Sequence, residues 1–104
     1  MIENRCMDTI GDLVEGQTYE LDASPDGRGG VRWDLFVYQR PDSEVARVAG
    51  QRASWCPVGT ATTAKPGAGR YRSAALGCVR SMGFDPDAMD LILILPDSVE
   101  RLRP

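Results

Sequence analysis

The chain contains no histidine. That absence excludes a Ser-His-Asp triad, a Cys-His pair and the usual general acid–base residue of enzymes working near neutral pH. Cysteine is scarce. Cys6, Cys56 and Cys78 are far apart and form no C-x-x-C pair. With no imidazole to complete a set, no zinc site is expected, and the three cysteines read as free thiols of a reducing compartment. Cys78 falls on an apolar helical stripe and reads as a small hydrophobe. Cys56, ahead of Pro57, has no adjacent base to lower its pKa. No apolar run approaches the roughly 20 residues that a membrane-spanning helix requires. The first residues, MIENRCMDTIGD, lack the basic start and apolar stretch of a secretory leader, which sets the expectation of a cytosolic protein. No G-x-x-x-x-G-K-[ST] phosphate loop occurs. KPGAGR, residues 65–70, is glycine-rich but reads as a plain helix entrance. No cofactor and no catalytic residue are expected.

What is present is an ordinary globular composition, 42% hydrophobic and 26% charged over 104 residues, enough for a single domain, 1–104, with one core. Met7, Ile10, Leu13 and Val14 recur at helical spacing and predict a short leading helix or turn ending at Gly16. QTYELDA, residues 17–23, alternates as a half-buried strand. SPDGRGG carries turn chemistry. VRWDLFVYQ, residues 31–39, alternates again, with Phe36 and Tyr38 making its second face apolar at one end. A weaker third strand is expected over 45–53, then a loop from about Ser54 to Pro66. Tyr71, Ala74, Ala75, Cys78, Val79 and Met82 form one helical stripe, and Gly83 sits where a left-handed C-cap belongs. LILIL, residues 91–95, does not alternate and predicts a strand buried on both faces. Pro96 ends it, and residues 97–104 are expected to fray or form a helical turn. The pattern β-β-β-α-β describes a two-layer α+β sandwich, with one main helix on a mostly antiparallel sheet of about four strands.

Asp85, Asp87 and Asp90 stand just before LILIL. Their D-x-D-x-x-D spacing opens like a calcium loop, but an EF-hand needs glycine at its sixth position and a carboxylate at its twelfth. Those positions hold Asp90 and Pro96. The aspartates therefore read as the polar connection that delivers a buried strand, with no metal.

Charge is segregated within a net of −3. Residues 1–26 carry −6, residues 27–84 carry +6 and residues 85–104 carry −3. These segments either neutralise one another across the fold or form two faces of opposite sign, which steer partners. From Trp33 to Gly83 the order "WDLFVYQ", "EVARVAG", "GTATTA", "YRSAALGCVRSMG" resembles the βββα core of small phage and mobile-element accessory proteins, anti-CRISPR proteins among them. The resemblance covers about half the chain. It implies a non-enzymatic protein of the host bacterial cytosol that binds and inhibits a bacterial nucleoprotein defence complex, a CRISPR effector, either by occupying a nucleic-acid-binding surface with its own acids or by jamming subunit motion. The acids available for such partner binding are Glu15, Glu20, Asp22 and Asp26 near the first strand, with Asp85, Asp87 and Asp90 as a second group. The alternative is a single-stranded nucleic-acid-binding module in which Arg28, Arg32, Arg40, Arg47 and Arg52 interleave with Trp33, Phe36, Tyr38 and Trp55 on the sheet. A sheet edge and aromatics such as Trp55 also leave room for a homodimer beside a monomer.

Overall fold

The structure, a computed structural model, describes residues 13–39 and 55–104. The strand expected over 45–53 and most of the expected leading helix lie outside the described residues. The elements in chain order are β1 (Thr18–Pro25), β2 (Val31–Tyr38), β3 (Trp55–Thr63), α1 (Tyr71–Ser81), a 3-10 turn (Pro86–Ala88), β4 (Asp90–Leu95) and β5 (Ser98–Leu102). The five strands form one sheet in the order β3-β2-β1-β4-β5. β1 pairs antiparallel with β2, β2 with β3 and β4 with β5, whereas β1 and β4 run parallel, Leu21 beside Leu93. The fold is α+β, with α1 packed against β2 and β4 on a mixed five-stranded sheet.

Two segments differ from the sequence reading. Trp55–Thr63, expected as loop, is the nine-residue strand β3. Pro57 and Gly59 are loop residues by local preference, but proline is tolerated on an edge strand and beside a bulge. The register slips between Leu35 and Phe36, so that Leu35 faces Gly59 and Phe36 faces Pro57. The threonines beyond are β-branched and favour extended backbone. The tail, expected to fray or turn helical, is strand β5. Pro96 and Asp97 form a two-residue link, and Leu95 pairs with Ser98. The sheet accordingly gains a strand at this end.

β1 and β2 alternate as their sequences require. Tyr19, Leu21 and Ala23 face the helix with Val31, Trp33 and Leu35. The hairpin between them is closed by Asp26, whose Oδ1 accepts from the backbone N–H of Arg28 at 2.7 Å and of Gly30 at 2.9 Å. Gly30 lies so close to β3 that a Cβ there would come within 2.5 Å of the Thr63 carbonyl oxygen. The connection therefore accepts no side chain at that point.

α1 buries Ala75, Cys78 and Val79. It ends in a Schellman motif. Gly83, at φ 96°, donates to the Arg80 carbonyl at 3.0 Å, and Phe84 donates to the Val79 carbonyl at 3.2 Å. Phe84 then packs against the core beside Tyr19, with ring centroids 5.4 Å apart. Among the described residues no helix is long and apolar enough to cross a membrane.

β4 is buried on both faces, as its unbroken apolar run requires. Leu91, Leu93 and Leu95 join the helix-side core with Trp33, Leu21 and Val79. Ile92 and Ile94 join a second cluster on the opposite face with Trp55, Phe36, Tyr38, Leu13 and Val99. Trp33 closes the helix-side core and places its indole N–H 2.9 Å from Thr63 Oγ1.

Because both faces of β4 are interior, Leu93→Ala and Ile92→Ala are expected to cost similar amounts, about 2–5 kcal/mol each. Urea unfolding followed by circular dichroism measures this. An Ile92→Ala cost far below that of Leu93→Ala would show that the second face is not a core.

Candidate functional site

The parallel pairing of β1 and β4 fixes where the acids lie. Thr18 is level with Asp90, so the turn before β1, with Glu15, and the turn before β4, with Asp85 and Asp87, emerge at the same end of the sheet. Asp26 lies at the other end, in the β1–β2 hairpin. The seven acids singled out from the sequence therefore do not form one group.

Their environments differ as much as their positions. Asp85 caps the 3-10 turn, its Oδ1 accepting from the Asp87 N–H at 3.0 Å. Asp85 and Asp87 are exposed, and Glu15, Asp22 and Asp26 are half-buried. Glu20 is 0% exposed, set on the face away from the helix between Phe36 of β2 and Ile92 of β4. It offers no surface to a docking partner. Asp22 stands directly opposite Asp34 across the β1–β2 pair, and the Asp34 carboxylate is met by Arg32 Nε at 3.2 Å.

Asp90 is the centre of a network across three strands. Arg101 of β5 grips it with both arms of the guanidinium, Nε to Oδ1 at 2.8 Å and Nη2 to Oδ2 at 2.7 Å. Thr18 of β1 donates its hydroxyl to Oδ2 at 2.8 Å and accepts from the Val14 N–H at 2.9 Å. Arg103 adds its charge at 3.8 Å. The Arg101 side chain is only 8% exposed and that of Asp90 19%. A bidentate, charge-assisted pair in partial burial is a structural tie. The Arg101 hydrogen bonds hold the Asp90 carboxyl below its ordinary range. Burial opposes them, and the Thr18 hydroxyl and the charges of Arg101 and Arg103 reinforce them. Arg101, Arg103 and Thr18 were not singled out from the sequence. The signal was available: Val99, Arg101 and Arg103 alternate, and a strand there puts both arginines on one face.

Asp85, Asp87 and Asp90 do not converge, since one caps a turn and another is held by arginine. Among the described residues no group of three or more Cys, Asp or Glu side chains comes together to hold a metal ion. Cys56 and Cys78 are buried free thiols, and burial pushes the Cys78 thiol up, toward the unreactive protonated form. At KPGAGR the Arg70 N–H is turned back onto the Gly67 carbonyl at 3.0 Å, as at a plain helix entrance.

Of the arginines proposed for nucleic acid, Arg28 and Arg32 are exposed, whereas Arg40, Arg47 and Arg52 lie outside the described residues. The aromatics that were to stack bases are packed inward. Trp33 is 0% and Trp55 8% exposed, while Phe36 and Tyr38 are half-buried in the second cluster, with the Tyr38 and Trp55 rings 5.5 Å apart and edge-on. A stacking platform needs open ring faces; Trp33 and Trp55 are buried, and Phe36 and Tyr38 are half-buried.

Comparisons with protein-family models, with curated proteins and with solved structures find no match for this chain.

Asp90, with its depressed folded value, stabilises the fold fully above the ordinary carboxylate pKa of about 3.9, and that contribution is lost as pH falls through the lower folded value. Asp90→Asn is therefore expected to flatten the acid limb of stability against pH, measured by urea midpoints across the acid range. Arg101→Ala, which leaves a part-buried carboxylate without its main partner, is expected to cost about 3 kcal/mol at neutral pH.

Proposed function

We propose that the protein is a non-enzymatic interaction module that docks on a basic surface of a bacterial nucleoprotein complex and inhibits it, with a CRISPR effector as the concrete partner. The observation that carries this reading is the placement of Asp85 and Asp87, exposed, at the same end of the sheet as Glu15. The other four acids play different parts: Asp90 ties strands, Asp26 closes a hairpin, Glu20 is interior and Asp22 lies along the sheet. The exposed carboxylates of Asp85 and Asp87 at one sheet end compete for arginine-rich channels that otherwise hold phosphates, and such competition speeds encounter more than it deepens affinity. The inward packing of the sheet aromatics favours this reading over single-strand nucleic-acid binding, for which a mobility-shift assay is the direct check.

The test is retention on immobilised CRISPR effector complexes, type I assemblies included, at low salt. Wild-type chain is expected to be retained and to elute as salt rises. Glu15→Gln, Asp85→Asn and Asp87→Asn together remove three charges, and the asparagine introduced by Asp85→Asn can still cap the 3-10 turn. That variant is expected to associate about tenfold more slowly with an unchanged fold. Absence of any retained complex, or retention indifferent to the triple variant, defeats the reading.

A further inference from the structure

The carboxyl ends of the two parallel strands lie side by side. β1 ends at Pro25 and turns to β2 on one side, whereas β4 ends at Leu95 and turns through Pro96 to β5 on the other. Connections that part in this way open a crevice at the strand ends. One is present here, a hollow of about 430 Å³ walled by Ala23, Pro25, Val31, Tyr71 and Pro96. A second hollow of about 440 Å³, lined by Asp26, Arg28, Thr62 and Thr63, adjoins it. Gly29, Gly30 and Lys65 border both. All of these residues are described. The points where the rest of the chain joins, before Leu13 and between Gln39 and Trp55, are at the other end of the sheet. Tyr38 pairs with Trp55 there and its carbonyl accepts from the Gly16 N–H at 2.9 Å, whereas Val31 pairs with Thr63 beside the hollows. The length of β2, eight residues or about 25 Å, separates the two ends.

We propose that the joined hollows bind a small organic monoanion with a flat apolar body, the body lying in the first hollow and the charged group reaching Lys65 at the junction. Hollows of this size take small molecules, with mostly apolar walls and a few polar groups that fix orientation. The rings of Tyr71, Pro25 and Pro96 border the first hollow, and Lys65 is its one charged residue. Ring walls favour a flat, apolar partner. The residues of the second hollow set the charge of the ligand. Lys65 and Arg28 stand against Asp26, two positive charges to one negative, a net of +1. That balance matches a single negative charge. A dianion would carry its second charge toward Asp26, whose place is fixed because Oδ1 accepts from the Arg28 and Gly30 N–H groups. Gly29 and Gly30 have no side chains with which to close the passage between the hollows. The site lies at the end of the sheet opposite Glu15, Asp85 and Asp87, so it does not depend on the proposed function.

The test is titration of the full chain with naphthoate, followed by calorimetry and by amide chemical shifts. Binding at one site per chain is expected, with shifts concentrated at Gly27, Gly29, Gly30 and Lys65. Naphthalenemethanol has the same body without the charge, and inorganic phosphate has charge without the body. Each is expected to bind about tenfold more weakly than naphthoate. Lys65→Gln with Arg28→Gln changes two exposed side chains. That double variant is expected to weaken naphthoate about tenfold, to leave naphthalenemethanol unchanged and to keep the urea midpoint of the wild type. Ala23→Leu fills the first hollow and is expected to abolish binding of both naphthalenes. Shifts absent from these amides, equal binding of the two naphthalenes, phosphate binding as tight as that of naphthoate, or naphthoate affinity indifferent to the double variant or to Ala23→Leu overturns the proposal.

Discussion

The parallel pairing of β4 with β1 is the constraint from which the rest follows. It joins residues about 70 apart in sequence, Thr18 to Asp90 and Asp22 to Ile94. A strand in that position has neighbours on both sides and apolar side chains on both faces. LILIL supplies them, with leucines to the helix and isoleucines away from it. A one-residue slip would exchange the two sets and would carry Asp90 off the level of Thr18. Asp90, Thr18 and Arg101 lock that register at the strand's beginning, where the polar chain enters the core. The aspartate just ahead of the apolar run thus acts as a register pin across β1, β4 and β5, and the ion pair is specific because its geometry is bidentate rather than because it is charged.

The legible part of the fold was the part written in local periodicity. β1 and β2 alternate, α1 carries a stripe at helical spacing with Gly83 at its end, and β4 shows two-sided burial; each pattern is contained in its own window. β3 was not legible because its information is tertiary. Its proline and glycine signal a loop until a bulge against Phe36, and an outermost place among the described strands, make them acceptable. β5 was missed for a related reason: a five-residue strand with Glu100 and Arg101 has too little apolar alternation to declare itself, and Leu102 alone reaches the helix-side core. The parallel direction of β1 and β4 appears in no local pattern at all. It follows from α1 carrying the chain from β3 over β2 and β1 to β4.

The same division governs the charged residues. That Asp85 and Asp90 serve the delivery of the strand could be argued from their place beside Pro86 and LILIL. That Asp90 is gripped by Arg101 could not, because the grip requires β5. Counting acids along the chain treats them as one resource, whereas folding assigns them to capping, pinning and interior roles and leaves only some outside. Glu20 shows the limit most clearly. Its place in an alternating strand marked it as polar-side and therefore as solvent-side. Yet the face away from the helix is itself a core around Trp55, Ile92 and Ile94, so the polar positions of β1 that point there are enclosed as well.

A sheet whose helix-bearing face and opposite face are both occupied has only its ends and edges left with which to meet other molecules. The ends are where the turns gather, and turns are where aspartate is favoured for its own backbone hydrogen bonding; an acidic end is therefore a natural by-product of connecting strands, available for use without altering the core. The edges differ in kind, because backbone N–H and C=O groups there recognise another strand whatever its side chains. Charge on β5 discourages that. Fold and interaction are thus separable in this chain: LILIL and its pin set the register, while the side chain of Asp87 lies outside that set and can change with little effect on it.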